Sequence, residues 1–475
     1  MSKAKLFIES FLIYGLGGVI SKLIPLIMLP IITRLMPDTF YFGLNDLSVT
    51  VVSFGTALAI MGMCDAMFRM FFEKEDEEYR KDICSSALGF TLLTSFAVFI
   101  ILIIFRSFVS KLIFSDVKYQ NLLLLTAMSI LIGSTNSIVA APTRMNNQRK
   151  VFLITNTLSS VLSYAVSIPL LIRGYYVVAL PLSSVISALA IEVIFGILNK
   201  NWFQLKRVNW QYIKEMLVIG LPLLPNFLIY WLLNASNRLM IAKMMGNEYT
   251  GIYAVGAKLG QVSQLIYTAF AGGWQYFAFS TMKDEDQVQT TSNIYEYLGV
   301  ISFIAGMFVA ALSKPIFHLL FTGEYVKGYI VAPYLFLAPL FQMLFQVASN
   351  QYLVIKKTWP NMLILSVGAV VNIIINFTLI PTIGIEGAAI ASLLGYVVSN
   401  IVCILALKRI KLIRLSAKFM ITTGLLIVFF IMWRLVIGEN VLISLIIASL
   451  ITLIYFYLYK KDLLRLIKVL KKGNN

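Results

Sequence analysis

The sequence predicts an all-α, polytopic membrane protein of about fourteen transmembrane helices. They are expected as two parallel six-helix bundles around a central cavity, followed by two further helices at the C-terminus. Three observations predict this. First, 59% of the 475 residues are hydrophobic and 13% are charged, whereas soluble domains carry about 25% charged residues; mean hydropathy is +0.85. Second, the apolar residues fall in segments of about 20 residues or more, the length a helix needs to cross hydrocarbon. They lack the short alternating strands of an outer-membrane barrel. Third, the first half of the chain resembles the second, span for span.

The first span has its core near 8–32 and is the most informative. It carries Lys22 in its middle, Arg34 just past its end, and Pro25 and Pro30 between them. A lysine at a span centre costs about 2.5–3.5 kcal/mol on insertion scales. Prolines remove backbone donors and bend a helix. A plain anchor needs neither, so this helix is expected to bend around a polar interior with Lys22 facing inward. Further cores follow near 44–68, 84–105, 120–141, 151–172, 175–198, 213–236, 250–280, 293–313, 329–352, 361–381, 385–407, 417–437 and 440–459. The N-terminus MSKAKLFIES runs into the first span without a small-residue cleavage site, so no cleavable signal peptide is expected.

The net charge of +17 does not point to nucleic acid, because the basic residues sit mostly in short loops. With the N-terminus placed inside, cytoplasmic loops collect Lys3 and Lys5, Arg144, Arg149 and Lys150, Lys206 and Arg207, and the dense run from Lys408 to Lys418. Both termini are therefore expected in the cytoplasm. The connection between the third and fourth spans, with Arg106, Lys111 and Lys118, is the basic exception on the outer side. No hydrophilic stretch exceeds about 20 residues, which leaves no room for a soluble catalytic domain. The stretches 408–418 and 460–472 read as retention charges near anionic lipid heads. Cys64, Cys84 and Cys403 show no pairing pattern and read as free thiols. One histidine, His318, argues against a zinc centre, so neither metal nor cofactor is expected.

The duplication rests on matches in constant order, offset by about 204–210 residues. Arg34-Leu35-Met36 aligns with Arg238-Leu239-Met240, and Phe42-Gly43-Leu44 with Thr250-Gly251-Ile252. Leu88-Gly89 aligns with Leu298-Gly299. Each repeat holds six spans, and an even number gives both the same orientation, a known transporter arrangement with the substrate site between the halves. The expected division is 1–200, 201–410, and 411–475 for the two added helices and basic tail.

Polar residues inside the spans mark the expected cavity. In the seventh span, Asn226, Tyr230, Asn234, Asn237 and Arg238 recur at three- or four-residue spacing and share a helical face. The eighth span aligns Lys258, Gln261 and Gln275. With Lys22 and Arg34 these form the candidate substrate-binding set. Lys and Arg in low dielectric attract anions, and arginine grips phosphate oxygens bidentately. Tyr, Asn and Gln suit sugar hydroxyls. Asp65 and Arg69, at the inner end of the second span, are candidates for a gate ion pair. Glu192, within the sixth span, is an acid at membrane depth, a candidate proton site or the partner of a neighbouring helix.

The stretch VNIIINFTLIPTIGIEGAAIASLLGYVVSN, from Val371 to Asn400, closely resembles the eleventh and twelfth spans of the polysaccharide transporter family. The resemblance is carried by Asn372, Asn376, Ile380, Pro381, Gly384, Gly387, Ala388, Ala389 and Ala391. The N-terminal LPIITRLMPDTFYFGLNDL resembles the same family through Pro30, Thr33, Arg34 and Gly43. Membership would imply a MOP-superfamily, MATE-like fold opening alternately to each side. It would also imply a Wzx-like flippase moving an undecaprenyl-pyrophosphate-linked oligosaccharide across the bacterial inner membrane for O-antigen, lipopolysaccharide or capsule. The implied partners are the lipid-linked substrate, membrane lipids, and a polysaccharide polymerase with its chain-length regulator; the implied drive is an ion gradient, with Asp65, Glu192 and Glu296 as coupling candidates. Two competitors share the superfamily: a multidrug exporter, whose cationic cargo would favour an acidic or aromatic cavity, and a peptidoglycan-precursor flippase. A membrane polymerase would need a large external loop with catalytic groups, and no such loop or constellation is present.

Overall fold

The computed structural model describes residues 24–464 except 261, 356, 358, 439 and 463. Among these residues the chain is helical throughout, and twelve helices are long and apolar enough to cross a membrane. They match twelve of the expected spans. Of the other two, the first is described only from α1 (Ile24–Leu35) onward, and the eighth comprises two helices flanking residue 261. The chain forms two compact units, Met1–Ala254 with Ile380–Ile385, and Val255–Leu379 with Glu386–Asn475. This division is one of packing, and differs from the repeat boundary expected near residue 200.

Unit 1 contains α2 (Thr39–Ile60), α3 (Met63–Phe71), α4 (Glu77–Ile104), α5 (Arg106–Phe114), α6 (Gln120–Val139), α7 (Ala141–Met145), α8 (Arg149–Ile172) and α9 (Ala179–Leu198). α10 (Trp210–Gly220), α11 (Leu224–Met244) and most of α12 (Asn247–Gly260) complete it. The basic connection between the third and fourth spans contains α5, whose Phe108 and Leu112 are exposed beside Arg106 and Lys111. Such a short amphipathic helix suits a membrane interface, which accounts for the exceptional charge there. Between α10 and α11 the backbone tightens to a 3₁₀ turn over Leu221–Leu223. Pro222 and Pro225 supply no N–H for an α-helical ladder at that point, so the expected proline distortion is local.

The crossing of α2 and α12 explains one of the repeat matches. A Cβ on Gly43 would overlap the Asn247 carbonyl oxygen, and one on Gly251 would overlap that of Thr39. Thr39 and Asn247 hold corresponding repeat positions, as do Gly43 and Gly251. The two copies of this motif thus pack reciprocally on each other, and glycine allows the backbones to touch. Polar side chains join the other helices. Ser48 and Thr126 share a hydrogen bond of 2.7 Å between α2 and α6. The Asn199 amide donates to the Val139 carbonyl and the Thr143 hydroxyl, both at 2.8 Å.

Unit 2 contains α13 (Val262–Ser280), α14 (Gln287–Leu320), α15 (Ala332–Val354), most of α16 (Trp359–Ile383) and of α17 (Ile385–Arg409), α18 (Ala417–Met432) and α19 (Val441–Leu458). Asn372 and Asn376 of the family motif are buried and joined at 3.2 Å. Gly384 turns the chain between α16 and α17 with φ +67°, the left-handed region glycine favours. The two added helices are tied down at both ends. At one end Glu296 accepts from the Ser416 N–H at 2.6 Å, the Ser416 hydroxyl at 2.7 Å and the Tyr459 hydroxyl at 3.0 Å. At the other, Glu386 accepts from Arg434 Nε at 2.7 and 2.8 Å and from the Tyr334 hydroxyl at 3.0 Å. Arg434 lies in a π-helical turn, Trp433–Ile437, that ends α18.

Candidate functional site

The site begins with a break in the second span. The apolar pattern continues past Ile60, yet Met61 and Gly62 both adopt left-handed conformations, with φ +48° and +71°. Met61 N–H closes the helix on the Ala57 carbonyl at 3.1 Å. Gly62 lies against the Gly220 backbone, where any Cβ would clash. The chain restarts as α3, which carries Cys64 and Asp65 in its first turn. Across from it, α6 does not run out into a loop. α7 follows directly, with Pro142 in its opening turn, where the missing N–H costs nothing. This extra turn carries Arg144 back toward α3.

These segments enclose a cavity of about 580 Å³ within unit 1. Ser53, Thr56, Asn136, Ser137 and Asn156 supply neutral polar groups, Asp65 and Arg144 the charges, and Phe68, Phe152, Phe195 and Phe227 the aromatic surface. The Arg144 guanidinium stands over the Phe68 and Phe152 rings, 4.8 and 5.5 Å from their centroids, and donates to Cys64 Sγ at 3.7 Å. The Asp65 carboxylate acts on it electrostatically. Arg144 Nε and Asn136 Oδ1 are buried without a protein hydrogen-bond partner. A guanidinium held against two rings at the lining of a polar cavity is equipped to take an anion.

The expected substrate set distributes differently. Lys22 and Gln261 lie outside the described residues, as does the side chain of Gln275. Arg34 is exposed at the end of α1, and Lys258 is exposed near the end of α12. Asn226 and Tyr230 are half-buried on α11, and the exposed Asn234 turns its amide back to the Tyr230 carbonyl at 2.8 Å. Asn237 is buried and donates to the Tyr253 hydroxyl at 3.0 Å. Arg238, expected to face the cavity, is instead committed to an ion pair. Its Nε meets Asp46 at 2.5 Å, its Nη1 meets the Asn234 carbonyl at 2.6 Å, and its guanidinium stands 5.8 Å from the Tyr253 ring centroid. Arg238 and Asp46 are both more than nine-tenths buried.

The four gate or coupling candidates also separate. Arg69 pairs with Glu73 at 4.0 Å, one turn onward, and not with Asp65. Asp65 joins Arg144 in the cavity. Glu192 lines a second cavity together with Thr135. Glu296 is saturated by Ser416 and Tyr459, which makes it a fastening of the added helices. The residue missed from the sequence is Arg144, read there as loop charge. The available signal was Ala141-Pro142-Thr143, whose composition extends the fourth span by one turn.

Comparison with known proteins agrees with this architecture. Residues 31–329 match the family described as polysaccharide biosynthesis protein. An uncharacterized membrane protein of Methanocaldococcus jannaschii is 22% identical over 423 residues, 81% of this chain and 79% of its own. Among solved structures, the lipid II flippase MurJ in an inward closed conformation aligns with TM-score 0.70 and 17% identity, over 95% of this chain and 99% of its own. An inward-facing multidrug-resistance MATE transporter of the MOP superfamily aligns with TM-score 0.63 and 14% identity, over 83% and 98%. The chain is therefore a multi-pass membrane protein that belongs to the polysaccharide biosynthesis protein family and has the fold of MOP-superfamily transporters.

Proposed function

We propose that the protein is a flippase for an undecaprenyl-pyrophosphate-linked oligosaccharide, an O-antigen or capsule repeat unit, which it moves from the cytoplasmic to the periplasmic leaflet by alternating access. The observation that carries this reading is the Arg144 cavity. Its guanidinium suits the pyrophosphate, and Asn136, Asn156, Ser53 and the phenylalanine rings suit sugar. In the orientation the loop charges favour, both termini are cytoplasmic and Arg144 lies at the cytoplasmic end of its span, where substrate would load. The setting is the bacterial inner membrane, and the polymerase and chain-length regulator are the downstream partners. Outward opening would separate the Gly43–Gly251 crossing and the Asp46–Arg238 pair, releasing a second cation.

A peptidoglycan precursor is the second reading. It is favoured by the alignment with the lipid II flippase along 95% of the chain, added helices included. Proteoliposomes holding either lipid-linked substrate distinguish the two, with exposure of the sugar to an external modifying enzyme as readout. The proposal expects wild-type protein to expose the oligosaccharide-linked lipid and Arg144→Ala to lose that activity. Exposure of the peptidoglycan precursor alone would install the second reading, and activity toward neither would refute both.

A further inference from the structure

The short helix α5 carries a surface that the transport reading leaves unused. The charge-free run from Ile83 to Phe105 is long enough to span hydrocarbon, so Arg106 stands where the polar zone of the bilayer begins. Val109, Ile113 and Phe114 turn inward and pack with Leu44, Leu47 and Leu122. Phe105, Phe108 and Leu112 share another face, and each is more than half exposed. Arg106 and Lys111 are exposed beside them. Neither cation has an acid partner among the described residues, whereas Lys118, in the same connection, is held by Asp116 at 3.2 Å. We infer that α5 is a binding site for an anionic phospholipid. Arg106 and Lys111 take its phosphate, and its acyl chains cover Phe105, Phe108 and Leu112.

Two arguments carry the inference. The first is charge complementarity. On the proposed orientation this connection lies on the outer side, where positive charge runs against the bias of the other loops. Basic residues that serve neither topology nor an ion pair find their counter-charge in the anionic headgroups of the bilayer. Long basic side chains suit that position, because their stems cover apolar surface while their charged ends reach the headgroups. The second argument is that α5 is held as a fixed platform. The Ser110 hydroxyl donates to the Asp116 carbonyl at 2.8 Å and folds the following turn back onto the helix. The Asn247 amide donates to the Phe114 carbonyl at 3.2 Å and so satisfies one of the acceptors that a helix end leaves open. The inner face of the helix is thereby committed to unit 1, and the face bearing Phe105, Phe108 and Leu112 is fixed toward lipid. The site does not depend on what the protein transports.

The test uses the full-length protein in phosphatidylcholine nanodiscs with a trace of diazirine-bearing lipid, either phosphatidylglycerol or phosphatidylcholine. On illumination the diazirine releases N₂, and the carbene inserts into a C–H bond of its neighbour. Peptide mapping counts adducts on α5 and, as a reference, on α16 around Val370 and Ile374, which are more than half exposed and remote from charge in sequence. The ratio of phosphatidylglycerol to phosphatidylcholine adducts is expected to be at least about tenfold higher on α5 than on α16. Lys111→Gln should lower the α5 ratio about fivefold, the factor that about 1 kcal/mol per basic residue near an anionic surface corresponds to. Arg106→Gln combined with Lys111→Gln should bring it to the α16 value. Both side chains are exposed, so the melting temperature of the variants should match wild type and the loss can be read as lost binding. Equal ratios on α5 and α16 in the wild type overturn the site, as does an α5 ratio unchanged in the double variant. A preference erased by excess inorganic phosphate overturns the lipid as ligand and assigns the cations to a soluble anion.

Discussion

The Arg144 cavity in unit 1 and the Glu296 knot in unit 2 both place charged and polar groups at the end of a span, yet they are built on opposite rules. Around Glu296 each carboxylate oxygen has a donor, and the donors come from helix ends that would otherwise separate. Around Arg144 the guanidinium is held mainly by rings and a thiol, and buried polar atoms remain unmatched. Matched polar groups fasten, because stranding one costs more than pairing it returns. Unmatched ones are tolerated where a ligand completes them. The comparison therefore separates structural from functional charges more sharply than depth in the membrane does.

Thermal stability in detergent should rank the variants by how completely their partners are matched. The largest loss is expected for Asp46→Ala, which strands the buried Arg238 guanidinium and should cost about 3–5 kcal/mol. Adding Arg238→Met to it should restore much of the loss. A double variant as unstable as the single would show that Asp46 acts by another route. Next comes Glu296→Gln, which turns one acceptor into a donor facing Ser416 or Tyr459 and should cost about 1–3 kcal/mol. Its transport at permissive temperature should stay near wild type. Loss of transport in stable Glu296→Gln protein would return this acid to the coupling candidates. Ser48→Ala removes one interhelical hydrogen bond to Thr126 and should cost only about 0.6 kcal/mol, near the average for such bonds within membranes.

The helices were legible because hydrocarbon demands long apolar segments, and twelve of the expected spans reappear as helices. The Gly43–Gly251 crossing shows why glycine recurs at that pair of corresponding positions. Charge pairing was not. Periodicity put Asn237 and Arg238 on a helical face but could not say that Asp46, on a helix remote in sequence, would claim the guanidinium. Glu296 entered only as a coupling candidate implied by the family resemblance, because its donors arrive from the far end of the chain. The break at Met61–Gly62 lies within an uninterrupted apolar run, so the sequence pattern carried no sign that α3 would swing Asp65 into a cavity.

Arg144→Ala should change stability little and be the most severe in transport. The arginine leaves no buried carboxylate behind, since Asp65 is exposed to the cavity, and its Nε hydrogen bond is already missing. What it loses is contact with two rings, about 0.5–1 kcal/mol each at accessible sites, partly returned by relieving the unmatched donor. Transport of a pyrophosphate-linked cargo should fall at least tenfold, because a charge-assisted bidentate contact contributes more than about 1.4 kcal/mol. Arg144→Lys keeps the charge but loses the planar fork and its seat between the rings. It should recover part of the transport with near-wild-type stability. A strongly destabilised Arg144→Ala protein would move this arginine into the same class as Glu296 and erase the contrast between the two regions.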